Sequence, residues 1–328
     1  MANASDGMTY KPSGQDKPVV ESGEFMFGVT ALDHAHIDGM TTALESAGAQ
    51  LKRIYEPNWE KAEAFQKKFP QATISSSLEE LLDDPEIRCV AAAAIPNERC
   101  DLGIKVMDAG KDYFTDKCPF TTLEQLSRAR EKASETGHKH MVYFSERLHN
   151  APTFFAGELA RSGAIGKVLQ IIVMAPHRLS KNNRPEWFFK KERYGGIITD
   201  IGSHQFEQLL HFTGASDAKI NFSRVENFNN PDNPELEDFG ETSMTMDNGA
   251  SCYCRIDWFT PEAARAWGDG RLFALGTEGY IEVRKYLDIG RPGGSPSVFW
   301  VSQEEEREEI FEGPQYFPFF GELVLDML

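Results

Sequence analysis

From Glu24 to about residue 145, short apolar runs alternate with longer stretches in which apolar residues recur every three or four positions. The runs Phe25–Thr30, Leu51–Glu56, Cys89–Ile95, Asp112–Thr115 and His140–Phe144 are predicted as strands. Ile37–Ala47, Trp59–Lys68, Ser77–Leu82, Cys100–Ala109 and Thr122–Thr136 are predicted as helices. Strand and helix in repeated order imply right-handed crossovers and a doubly wound parallel sheet. From Ala151 the pattern changes to extended segments at Leu169–Pro176, Lys219–Glu226, Glu241–Met246, Ala250–Trp258, Arg271–Leu275 and Tyr280–Arg284. Asn248-Gly249 lies between two of them as a hairpin turn. The fold class is therefore α/β followed by α+β, the second part being an open antiparallel sheet with helices on one face. A helix is also predicted to begin near Phe320 and to run to Leu328.

Between these halves lies Gly195-Gly196-Ile197-Ile198-Thr199-Asp200-Ile201-Gly202-Ser203-His204. Apolar Ile198, Ile201, Leu209 and Phe212 keep helical spacing until Gly214 offers a stop. Asp200, His204, Glu207 and His211 share the opposite face. Taken alone, that face is compatible with a solvated helix surface or with a catalytic one, since a carboxylate and an imidazole are neighbours on it.

Composition narrows the class. A chain of 328 residues suits two domains, and the first 24 residues are polar and read as a flexible arm. No apolar run approaches the roughly 20 residues of a membrane span, and no secretory signal is evident. With 34 basic against 51 acidic residues the net charge is −17, which argues against nucleic acid as a partner. Five cysteines without a Cys-x-x-Cys pair fit a reducing cytoplasm. Cys252 and Cys254 read as small buried residues of a strand. The run Glu304 to Glu309 reads as a solvated loop or strand edge.

Ligands of doubly wound sheets bind at the carboxyl ends of the strands. After the first strand comes Ala31-Leu32-Asp33-His34-Ala35-His36, where a dinucleotide-binding unit would carry Gly-x-Gly-x-x-Gly. The glycines are absent, yet the helix-start amides can still face a pyrophosphate. Asp33 is compatible with lining that site or with capping the helix. His34 and His36 lack a nearby third ligand in sequence, so no metal is expected. Glu56, at the end of the second strand, is placed to accept ribose hydroxyls and to repel a 2′-phosphate, or to open the Pro57-Asn58 turn. Ile95-Pro96-Asn97 and Asp116-Lys117-Cys118-Pro119 follow the next two strong strands.

The turn Asp116-Lys117-Cys118-Pro119, followed by Gly-Gly-x-x-x-Asp-x-x-x-His at Gly195 to His204, resembles the glucose-fructose oxidoreductase and inositol dehydrogenase family, Gfo/Idh/MocA. Gly163-Ala164-Ile165-Gly166-Lys167-Val168 and Gly276-Thr277-Glu278-Gly279-Tyr280 are similar to later motifs of the same family. The resemblance runs over residues 24 to 325. It implies a Rossmann-like dinucleotide-binding domain over 25–150 and a substrate-binding and oligomerisation domain over 151–328. It further implies Lys117, Asp200 and His204 as catalytic residues, with Asp116 and Lys117 beside the cofactor, while their places after the strands put Ala31, Leu32, Asp33, His34, Glu56, Ile95, Pro96 and Asn97 around it as well. Asp116 replaces the family's usual Glu, and Cys118 stands where the family has Pro. A cis peptide before Cys118 is not expected.

His177, Arg178, Trp187 and Tyr194 place aromatic faces beside polar donors, which suits a polyhydroxylated ring, with an aromatic plug as the plainer reading. The function expected is transfer of a hydride between NAD, in preference to NADP, and a secondary hydroxyl of a sugar, inositol or related polyol or glycoside. The alternatives are a catalytically silent cofactor- or sugar-binding protein, and a redox-neutral enzyme that uses bound NAD transiently for elimination or epimerisation. A soluble, cytoplasmic homo-oligomer, dimer or tetramer, is expected, because an uncovered sheet face commonly pairs with a second copy.

Overall fold

The computed structural model describes residues 17–291 and 293–328. Its chain divides into two compact units. Of the described residues, 17–143, 192–195 and 316–328 form the first, and 144–191 and 196–315 belong to the second.

In the first unit, strands β1 (Met26–Thr30), β2 (Gln50–Tyr55), β3 (Thr73–Ile74), β4 (Ile87–Ala92), β5 (Asp112–Asp116) and β6 (His140–Tyr143) lie in the order β3-β2-β1-β4-β5-β6. Every pairing is parallel. The order reverses between β1 and β4, which makes the crevice beyond their carboxyl ends the topological switch point. Helices α1 (His36–Ser46), α2 (Trp59–Gln66), α3 (Leu78–Leu82), α4 (Arg99–Asp108) and α5 (Leu123–Thr136) form the crossovers. Local chemistry fixes their starts: the side chains of Asn58, Ser77 and Thr122 accept the amides of Lys61, Glu80 and Gln125. Gly137, at φ 72°, ends α5. The strand β3, only two residues long, is too short to carry a periodicity and was not expected.

Of the expected N-terminal arm, residues 1–16 lie outside the described residues. The rest is not free: Val19 N donates to the Ala47 carbonyl at 2.9 Å, and Val20 is buried in the core of this unit. The unit also takes in the last helix of the chain, so its sequence is discontinuous where a simple division near residue 150 was expected. Phe320, Leu323, Val324 and Met327 of that helix join Phe27, Met40, Leu44 and Phe114 in one apolar core.

The second unit opens with α6 (Ser145–Leu148) and α7 (Ala151–Arg161), then β7 (Val168–Pro176). The short helix α8 (Lys191–Tyr194), whose last three residues are assigned above to the first unit, is followed by α9 (Ile197–Asp200), α10 (Gly202–Thr213), β8 (Ala218–Glu226), β9 (Phe239–Met246) and β10 (Ser251–Asp257). Next come β11 (Arg271–Gly276), β12 (Tyr280–Arg284), β13 (Ser297–Val301), β14 (Glu306–Ile310) and finally α11 (Phe319–Met327), the helix assigned above to the first unit. The eight strands lie in the order β14-β13-β12-β11-β7-β10-β9-β8. The sheet is not wholly antiparallel, as expected from the hairpin signals, because β7 and β10 pair in parallel. These two are not joined by a hairpin: the chain between them runs through α9, α10, β8 and β9. Helices α7 and α10 pack together, α10 against β7 and α7 against β12 and β13. The acidic run forms the exposed edge strand β14, and Cys252 and Cys254 are buried. Among the described residues no helix is long and apolar enough to cross a membrane.

Candidate active site

The first unit builds a phosphate-type loop without glycine. Ala31 adopts φ 52°, the left-handed conformation for which glycine is the usual residue. The loop is held by main-chain bonds across the sheet, Ala93 N to Ala31 O and His34 N to Ala93 O, both 3.1 Å. Glu56, 8% exposed just past β2, accepts Leu32 N at 3.0 Å and Asn58 N at 3.1 Å. Beyond the strand ends a cleft of ≈ 620 Å³ is lined by Thr30, Ala31, Asp33, Glu56, Ala94 and Asn97, among others. Asn97 Oδ1 is buried there with no hydrogen-bond partner. A carboxylate at a cleft on the switch point, whose oxygens each keep a second lone pair, suits the hydroxyls of a nucleoside ribose. The residues present thus fit a dinucleotide.

Asp33 does not cap α1. Ala35 occupies the N-cap and makes no side-chain bond, and Asp33 instead pairs with Lys61 at 3.3 Å. Ile95-Pro96-Asn97 form the expected break, with Pro96–Glu98 in a single 3₁₀ turn before α4.

Asp116 ends β5 fully buried. His36 Nδ1 lies 2.9 Å from its Oδ1, and the amide of His36 donates to His34 Nδ1 at 3.2 Å. The fold therefore supplies beside the two histidines the third ligand type that sequence spacing lacked, and potential ligand atoms of His34, His36 and Asp116 fall within 4.8 Å of one another. The carboxylate is already engaged by a fixed cation, with Arg99 Nη2 at 3.3 Å from Oδ2. That arrangement is a hydrogen-bonded clamp on the loop. Burial raises the Asp116 carboxyl, but His36, Arg99 and His34 outweigh it and hold the group well below its ordinary range. Burial, then His36, push His34 well below its ordinary value despite Asp116.

Arg99 was missed by sequence reasoning, and it organises the turn that carries Lys117. Its Nε donates to Ala94 O at 2.7 Å, and its Nη1 donates to the carbonyls of Asp116 at 3.1 Å, Cys118 at 3.0 Å and Lys117. The Lys117–Cys118 peptide is cis, against expectation. Lys117 is itself 6% exposed.

In the second unit, the single helix expected after Gly196 is broken at Ile201 into α9 and α10. Gly196, at φ 91°, permits the turn into α9, and Glu237 Oε2 accepts Ile197 N at 2.9 Å. Asp200 closes α9 and His204 lies in the first turn of α10, 7% and 2% exposed. The face that could have been solvated surface is buried at both positions, and Glu207 is half-buried against Arg147.

His177 follows β7 at 7% exposure, its ring 4.4 Å from that of Trp267 and its Nδ1 3.1 Å from Ala175 O. Arg178 is a staple in this fold: Nη2 donates to the carbonyls of Pro261, Ala264 and Ala266 at 3.2, 2.7 and 3.1 Å. Trp187 is half-buried edge-on to Phe188. Tyr194 is fully buried, belongs to the first unit, and accepts the Cys118 thiol on its carbonyl at 3.9 Å. Of the expected substrate wall, the structure therefore places His177 beside aromatic rings, engages Arg178 with its own loop and buries Tyr194. Glu146, Lys285, Gln205 and Gln208, all buried around α10, carried no motif that would have marked them in the sequence.

Comparison with known proteins agrees with this architecture. The sequence pattern of the GFO/IDH/MocA oxidoreductase family's NAD-binding Rossmann domain matches residues 25–144, and that of its C-terminal domain matches 155–282. The crystal structure of a protein assigned to the oxidoreductases from Erwinia carotovora atroseptica superposes with a TM-score of 0.88 at 43% identity, covering 93% of this chain and 91% of that one. The scyllo-inositol 2-dehydrogenase (NAD(+)) of Bacillus subtilis is 26% identical over 262 residues, 78% of this chain and 72% of that protein. Levoglucosan dehydrogenase, solved with NADH and levoglucosan, shares the fold at a TM-score of 0.73 and 19% identity, covering 91% of this chain and 82% of that one.

Proposed function

Since the chain belongs to the GFO/IDH/MocA oxidoreductase family, with its NAD-binding Rossmann domain, we propose that it is a dehydrogenase of a secondary hydroxyl on a sugar, inositol or related polyol or glycoside. The observation that carries the reading is the cleft at the β1/β4 switch point, lined by the Glu56 carboxylate. The same carboxylate favours NAD over NADP, because a 2′-phosphate beside it would meet like charge.

Bound nicotinamide supplies the acceptor for the carbinol hydride. His204 removes the hydroxyl proton, a task for which imidazole is suited because its ordinary pKa of about 6.5 lets it take and return a proton near neutrality. Lys117, in a turn fixed by Arg99, stabilises the developing alkoxide as a preset cation in a largely dry setting. Asp200 orients the hydroxyl or the imidazole. His177 and Trp187 contribute ring faces for the C–H faces of a polyol.

Exposed Ile220, Phe222, Phe273 and Leu275 on strands of the second unit support self-association as a dimer or tetramer. All five cysteines are buried free thiols, which supports residence in a reducing cytoplasm.

The test is a panel of sugars, polyols, inositols and glycosides assayed with NAD and with NADP, following reduced nicotinamide absorbance. Reduction of NAD by at least one compound, and faster than that of NADP, is expected. Binding of NADH with no turnover of any compound would leave a silent binding protein. Conversion of a compound without net NADH would mark a redox-neutral enzyme.

A further inference from the structure

The second unit has a cavity on the face of its sheet that points away from the helix carrying His204. Ile256 and Gly240 face α9 and α10: a Cβ on Gly202 would meet Ile256 Cδ1 at 3.1 Å, and one on Gly240 would meet Ile197 Cγ2 at 2.8 Å. Side chains alternate along a strand, so Phe239, Arg255 and Asp257, next to these two on β9 and β10, belong to the opposite face. With Phe259, Arg265 and Leu287, among others, they line a cavity of ≈ 570 Å³, a size that holds a small organic molecule.

The walls are set in advance. The loop that supplies Pro261, Ala264 and Arg265 is pinned by Arg178, 3% exposed, whose Nη2 donates to the carbonyls of Pro261, Ala264 and Ala266. Asp257, also buried, accepts Phe259 N on Oδ1 at 3.0 Å and fixes the backbone behind that ring. Walls already ordered spare a ligand the entropy cost of ordering them. Two lining residues, Phe259 and Ile289, are nonetheless 41% and 67% exposed, large apolar side chains left in water.

Charge gives the cavity its preference. Asp257 Oδ2 lies 3.0 Å from Arg255 Nε, and Asp269 Oδ2 accepts Arg271 Nε at 3.0 Å, so each lining carboxylate has a cation of its own. Arg265 has no such counterpart. Among the described residues no hydrogen bond or ion pair engages it, in a chain with 51 acidic residues against 34 basic ones. Its guanidinium packs over Gly294, where a Cβ would come within 2.8 Å of Nη2. An arginine placed by packing beside an apolar cavity, its fork of donors open, suits a carboxylate.

We propose that this cavity binds a small amphipathic carboxylate, its apolar body against Phe239, Phe259, Leu287 and Ile289 and its carboxylate on Arg265. The site uses neither His204 nor the cleft of the first unit. It therefore goes beyond the dehydrogenase reading and stands or falls separately from it.

Calorimetric titration of the full chain, without nucleotide, with 1-naphthaleneacetate and with its neutral amide tests the proposal, since the two share one ring system. The carboxylate is expected to bind at least about tenfold more tightly than the amide, the effect of one charge-assisted pair. Arg265→Gln, at an exposed position, should abolish that difference and leave the Kd of the amide unchanged. Ile289→Asp should weaken both probes. No binding of the carboxylate, equal affinity of the two probes, a difference that survives Arg265→Gln, or no effect of Ile289→Asp overturns the proposal.

Two further titrations locate the probe. Excess NADH should leave the Kd of the carboxylate unchanged, and displacement by NADH would place the probe in the nucleotide cleft and overturn the assignment. Repeated across the protein concentrations over which sedimentation shows the chain to associate, the titration should give a single Kd. Affinity lost on association would mean that a second copy of the chain covers the cavity, which overturns the proposal as well.

Discussion

Glu56 accepts the backbone amide of Leu32 at 3.0 Å, tying the end of β2 to the glycine-less loop after β1. One carboxylate thus both shapes the loop and lines the cleft beyond the strand ends. Glu56→Ala removes two charge-assisted bonds, each worth about 1.5–3 kcal/mol. Its Kd for NADH, read from nicotinamide fluorescence, should rise at least about tenfold, and its preference for NAD over NADP should shrink. An unchanged Kd would take Glu56 out of the cofactor site.

At Ala31 the left-handed backbone costs an L-residue about 1–2 kcal/mol, which glycine avoids at a comparable loss of chain entropy. Ala31→Gly is therefore expected to keep the wild-type Tm or to raise it by a few degrees, and to retain NADH binding. Ala31→Val, branched at Cβ, should lower Tm by several degrees. Calorimetry of the two variants decides the point, and a Tm that falls in Ala31→Gly would show that the loop does not need the left-handed backbone.

Gly196 has φ 91°, and a Cβ there would come within 2.5 Å of Glu237 Oε2, the atom that caps Ile197. Gly196→Ala should cost about 1–3 kcal/mol and displace α9 with Asp200 on it. Loss of both Tm and turnover is expected, and a variant of wild-type stability would contradict the geometry.

His204→Ala should lose roughly 10²–10⁴-fold in kcat while still binding NADH, and Lys117→Ala should lose roughly 10²–10³-fold and bind the cofactor more weakly as well. Steady-state kinetics beside fluorescence titration separates the two effects. Wild-type rates in His204→Ala would remove it from the mechanism.

His140 and His211 give the stability of the chain a pH dependence. Burial lowers each from 6.5 to about 4, with Arg147 and Arg161 adding to the effect on His211. Between those two values the unfolded chain binds protons that the native one refuses, so stability falls as pH drops from 6.5 towards 4. The loss is on the order of 2 kcal/mol per histidine after allowing for solvent screening. His140→Phe, packed between Tyr113 and Phe120, should flatten the pH dependence of urea unfolding in this window.

Much of the fold was legible because local signals agreed with tertiary ones. The strand and helix limits of the first unit follow from apolar periodicity closed by Asn58, Ser77, Thr122 and Gly137, each acting within four residues of itself. Likewise Gly214, at φ 70°, ends α10 where expected. What escaped depended on distant parts of the chain. Asp116 as third neighbour of His34 and His36, the grip of Arg99 on the turn at Lys117, and the pairing of Glu146 with Lys285 across 139 positions leave no local pattern. The engagement of Arg178 with the carbonyls of Pro261, Ala264 and Ala266 left no trace in the sequence, because an arginine beside aromatics reads the same whether its donors meet a ligand or a loop. The parallel β7–β10 pairing escaped because strand alternation reveals which face is buried and says nothing of direction.

The discontinuity of the first unit bears on how the protein is made. Synthesis runs from the N-terminus, so residues 17–143 emerge with all six strands yet without Phe320, Leu323, Val324 and Met327, which complete their core. The apolar surface of α1 that α11 covers stays open until Phe319–Met327 have been translated. The second unit, drawn from 144–191 and 196–315, can therefore reach its native pairing first. In order of birth the nucleotide-binding unit leads, and in order of completion it comes last.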